Sequence, residues 1–169
     1  MPSSKKPRRA YRGPKFARGN VASLEVLNKH SVTNAVIDAF VVPLDTQERR
    51  DVAITFLVAL DRMVKGKANA DDLGYLGFMC NTARMLCERG FVEDGMDDVI
   101  AAQEALMRAD ERARRGAGLA LDGDGIRVVR EAYWIHEAQI EVAGRGHLLA
   151  AGKEVTRRQL AGDILELAA

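Results

Sequence analysis

The chain has 169 residues, 47% of them apolar and 29% charged, with a formal net charge of +1. That length suits one domain with or without a tail, and it allows a hydrophobic core without disulfide or metal staples. No run of eighteen apolar residues is present to span a bilayer, and the basic N-terminus lacks the apolar stretch of a secretory signal.

Aromatic residues make up only 5% of the chain, and the last of its four prolines is Pro43. Beyond it Ala, Leu, Arg and Glu abound, which favours helices over strands. Cys80 and Cys87 lie about two helical turns apart, too far to bridge along one helix. Two reduced cysteines fit a cytoplasmic protein.

The near-zero net charge hides an asymmetry. Residues 1–20 carry seven basic groups (Lys5, Lys6, Arg8, Arg9, Arg12, Lys15 and Arg18) and no acid, leaving 18 basic against 24 acidic groups in the remainder. Residues 1–20 therefore read as a basic, irregular tail, and residues 21–169 as a single helical domain. Tyr11 and Phe16 among the tail cations suit stacking beside phosphate contacts, and an acidic protein surface would fit them equally. A solvated tail that only aids solubility is the plain alternative.

In chain order, 21–41 holds one helix or two, with Ala35, Val36, Ile37 and Ala39 inward. Pro43 ends it, and Asp45 or Thr46 caps the next helix, which runs to about Lys65 before Gly66. Val52, Ala53, Phe56, Leu57, Ala59, Leu60, Met63 and Val64 form its expected apolar face. The third helix opens near Ala70 or Asp71 and stops before Gly90. Within it, Leu73, Leu76, Cys80, Ala83 and Cys87 recur at three and four, and Gly74 and Gly77 are expected to admit a neighbouring backbone. The fourth runs from Asp94 or Gly95 to Arg115 and ends in the basic run Arg108, Arg112, Arg114 and Arg115, cations that suit a helix C-terminus.

The stretch 126–143 reads as a long helix with an unusually wide apolar face, with Asp122 or Asp124 as its cap. Its apolar residues, Val142 among them, fill more than half the circumference, so it is expected as the central helix of the bundle. His136 and Gln139 fall inside that arc. Trp134 falls outside it, beside Arg127 and Arg130. A short turn at 147–151, a break at Gly152 and a final helix over 156–167 complete the pattern, with Leu160, Ile164 and Leu167 inward. The expected fold is all-α, a bundle of five or six helices.

Motif tests are mostly exclusions. His136-Glu137 begins an HExxH pattern, but Ile140 stands where the second imidazole must be. Asp122-Gly123-Asp124-Gly125 resembles the start of a calcium loop, yet Arg127 and Tyr133 occupy the positions that need Gly and Glu. No phosphate-binding glycine loop and no nucleophile elbow occurs. Catalytic, metal-ligating and cofactor-binding residues are therefore expected to be none. The acids Asp71, Asp72, Asp97 and Asp98 sit in first helical turns, where they suit the dipole. His136 and Gln139 read as a satisfied core pair, with a pocket floor as the alternative.

Several short pieces together resemble a family of small proteins encoded by proteobacterial phages, prophages and related mobile elements. They are Tyr11-Arg12-Gly13-Pro14-Lys15 after a basic start, Lys65-Gly66, Asn81, Gly90-Phe91, Gln103-Glu104-Ala105-Leu106, the 112–116 segment RARRG, and His136-Glu137-Ala138-Gln139. The resemblance implies an accessory protein acting inside a bacterial cell and carries no catalytic residues across.

Two functional expectations follow. The first is a non-enzymatic protein that docks on a host or phage protein complex, to inhibit a defence system or modulate transcription, with Trp134, Arg127, Arg130, Tyr11 and Arg12 as contacts. The second is a DNA- or RNA-binding protein, with Lys5, Lys6, Arg8, Arg9, Arg12, Lys15 and Arg18 on phosphates and Arg112, Arg114 and Arg115 as a second basic patch.

Overall fold

The structure, a computed structural model, describes residues 42–162. The described residues all belong to one compact unit. The basic tail and the helix expected within 21–41 lie outside the described residues. What is described is all-helical: α1 (Thr46–Val64), α2 (Ala70–Cys87), a 3-10 turn at Glu93–Gly95, α3 (Met96–Arg114), α4 (Gly123–Val142) and α5 (Arg145–Ala161). No described helix is long and apolar enough to cross a membrane.

Local chemistry sets most boundaries. Asp45 caps α1: its Oδ1 accepts from the amides of Gln47 and Glu48, and Glu48 reaches back to the Asp45 amide at 2.9 Å. Asn69 and Asp72 repeat the arrangement at the start of α2. Asp122 caps α4 by accepting from the Gly125 amide at 2.7 Å. Helix ends take the left-handed conformation at Gly66 and Gly90, and the Phe91 amide closes back on the Leu86 carbonyl at 3.0 Å.

α4 packs among α1, α2 and α3, as its wide apolar face requires, but the helix that touches all the others is α2. From Met79 to Cys87 every α2 residue except Arg84 is buried. Small residues make this possible, since Cys80, Ala83 and Cys87 let neighbours approach from several sides. Gly74, in contrast, is exposed with open space where a Cβ would stand, so it admits no neighbour. One core cluster joins α1 to α4 through Phe56, Met63, Leu76, Met79, Leu106 and Val129. A second, of Met85, Leu86, Ala143, Ala151 and Val155, fastens α5 to the end of α2.

Three apolar positions differ from expectation. Leu57 lies on the outer side of α1, 44% exposed, because the buried direction runs through Phe56, Ala59, Leu60 and Met63. Val142 is exposed on the last turn of α4, where the backbone becomes extended at Ala143. Leu160 is 87% exposed. It stands five residues from the inward Val155, about 140° around the helix.

The most instructive departure is α5, one continuous helix through Gly152 where a break was expected. Gly152 lies opposite Phe78 of α2: a Cβ there would meet the ring at 3.4 Å. That is ordinary van der Waals contact, so the glycine is neither a helix stop nor forced by its neighbour. Ile164 and Leu167 lie outside the described residues.

Candidate functional site

Two surfaces collect the residues of interest. The first is the outward face of α4. Trp134 is 63% exposed, and its ring meets that of Tyr133 edge-on with centroids 5.2 Å apart. Tyr133 is buried, and burial beside Glu137 raises its phenol pKa. The exposed indole is thus backed by a fixed aromatic neighbour, which limits the freedom it would lose on binding. Arg127, about two turns before the indole, is paired with Asp124 at 3.0 Å. Arg130 is exposed with no ion-pair partner among the described residues, leaving it as the available cation beside Trp134.

The proposed second basic patch is internally neutralised. Arg112 donates to Asp122 at 3.1 Å and to the Ala120 carbonyl at 2.9 Å, Arg114 holds Asp110 at 2.8 Å, and Arg115 lies 3.6 Å from Glu111. Arg112 thereby fastens the loop before α4, and its charge helps the Gly125 amide hold the Asp122 carboxyl below its usual range. The tail positions Lys5, Lys6, Arg8, Arg9, Tyr11, Arg12, Lys15 and Arg18 lie outside the described residues.

The second surface is an open groove of about 540 Å³ between α1 and α5, floored by α2 and α4. Val52 and Phe56 line it from α1, Phe78 and Thr82 from α2, His136 and Ile140 from α4, and Leu148, Leu149 and Gly152 from α5. Glu48, Arg145 and Lys153 also line it, and Glu48 pairs with Arg145. The volume is that of a small-ligand site and the walls are largely apolar, so what it offers is apolar contact. Sequence periodicity did not reveal it, because its walls come from four separate helices.

His136 and Gln139 separate in role. Gln139 is fully buried, and its Nε2 donates to the carbonyls of Ala83 and Phe91, both at 3.0 Å. It ties α4 to α2 and the following turn, as a core residue. His136 is buried against Phe56, ring centroids 5.7 Å apart, and also lines the groove. Burial pushes its pKa down to about 4, so the imidazole is neutral near pH 7. Cys80 is wholly enclosed, and burial raises its thiol to about 12. That thiol holds its proton at physiological pH and is a poor nucleophile. No group of three or more His, Cys, Asp or Glu is placed to hold a metal ion among the described residues.

Comparison with family models, with curated proteins and with solved structures finds no match.

Proposed function

We propose that the chain is a non-enzymatic helical binding protein that docks on a protein complex, with Trp134 as the anchor. The carrying observation is the indole itself: a large aromatic residue, 63% exposed, steadied by Tyr133 and flanked by the available Arg130. Trp and Arg are the residue types most enriched among those that dominate interface energies. In keeping with the sequence resemblance, the reading is of an accessory protein of a phage or mobile element, with a partner from the bacterial host or the phage. Inhibition of a defence system or modulation of transcription are the matching outcomes.

Nucleic-acid binding is the second reading, and the seven tail cations favour it. The acids beside Arg112, Arg114 and Arg115 draw that reading away from α3 and onto the tail alone. The two separate by salt. Phosphate binding by the tail weakens by about 0.9 log unit per log salt for each duplex contact. Capture through Trp134 depends far less on salt. The deciding test is capture from bacterial lysate by the full chain, by a version lacking residues 1–20 and by Trp134→Ala. Loss of one protein partner with Trp134→Ala supports docking through α4; identical partner sets from all three overturn it.

A further inference from the structure

The outward side of α1 carries a short exposed seam. Arg50, Ile54, Leu57 and Asp61 follow one another at spacings of four, three and four, so they share one face of the helix. All four are exposed, with Ile54 at 58% and Leu57 at 44%, and Val58 beside them is also 44% exposed. Two large aliphatic residues thus occupy the middle of the seam, a cation one end and an anion the other.

That order is complementary to itself only when reversed. If a second α1 lies antiparallel across a two-fold axis midway between Thr55 and Phe56, each residue faces the one whose number completes a sum of 111. Arg50 then meets Asp61 of the second copy, and Ile54 meets Leu57 of the second copy, each contact occurring twice as a two-fold interface requires. In the parallel arrangement Arg50 would meet Arg50 and Asp61 would meet Asp61, which is repulsive. Arg50 has no ion-pair partner among the described residues. Asp61 pairs with Lys65 of its own helix at 2.7 Å, an exposed contact that costs little to rearrange.

We infer that the chain self-associates through α1, two copies pairing antiparallel along the seam of Arg50, Ile54, Leu57 and Asp61. The occupant of this face is a second copy because the charge order matches its own reversal. One helix pair buries less than a standard interface, so the dimer is weak and depends on concentration and salt. The face is distinct from that of Trp134, and the inference stands apart from the proposed function.

The test is sedimentation of the full chain at low salt across a range of concentrations, with circular dichroism confirming that each variant keeps its helices. Arg50→Asp and Asp61→Arg alone each bring like charges together at both symmetric contacts and are expected to raise the dimer Kd about tenfold. The double variant restores opposite charges and is expected to return within about threefold of the parent. A parent that stays monomeric at every concentration overturns the inference. So does a dimer that the single swaps leave unchanged, or one that the double swap fails to restore.

Discussion

The Gln139 side-chain amide stands 3.0 Å from the carbonyls of both Ala83 and Phe91, joining α4 to the end of α2 and the turn that follows. Ala83 belongs to the larger core cluster and Phe91 packs against the second, so one polar side chain ties α4 to both. Gln139→Leu keeps the volume roughly but removes the donor. It is expected to cost about 2 kcal/mol. Urea unfolding at pH 7 reads this directly, as a lower midpoint with an unchanged slope.

His136 makes stability depend on pH. Its folded pKa lies near 4, below the ordinary imidazole value of 6.5, so between these values the unfolded chain binds a proton that the folded chain does not. Stability therefore falls as pH drops from about 6.5 to about 4, with a contribution of up to about 3 kcal/mol from this group. His136→Gln removes the titration, and the difference between its unfolding midpoints at pH 7 and pH 4.5 is expected to be smaller than that of the parent.

Two glycines with opposite surroundings give opposite outcomes. A Cβ at Gly95 would lie 2.9 Å from Ile135, so Gly95→Ala drives the turn before α3 into α4 and is expected to cost about 1–3 kcal/mol. Gly152 sits inside α5 with only the half-exposed Phe78 ring near, at 3.4 Å. Gly152→Ala should stabilise by about 0.5–1 kcal/mol through helix propensity. Thermal unfolding of the two variants should shift in opposite directions.

These contrasts mark what was legible in the sequence. The caps at Asp45 and Asp122 and the stops at Gly66 and Gly90 could be read because their causes are local: a side-chain oxygen three residues from an amide, or a positive φ. The exposure of Trp134 followed from helical period alone. Gly152 misled because a glycine inside a helix lowers propensity without ending it when the flanking turns are held by packing, as Ala151 and Val155 are here. Leu57 misled because periodicity marks a broad face without saying where packing stops. The groove escaped for the same reason: no single helix contains it.

The central claim is that Trp134 anchors a protein partner, and the most direct measurement is partner capture by the full chain against Trp134→Ala, both shown to unfold at the same temperature. The indole is exposed, so its removal should leave stability within about 0.5 kcal/mol. The prediction is at least a tenfold loss of the captured partner with Trp134→Ala, at constant salt. Equal capture by the two proteins would contradict it.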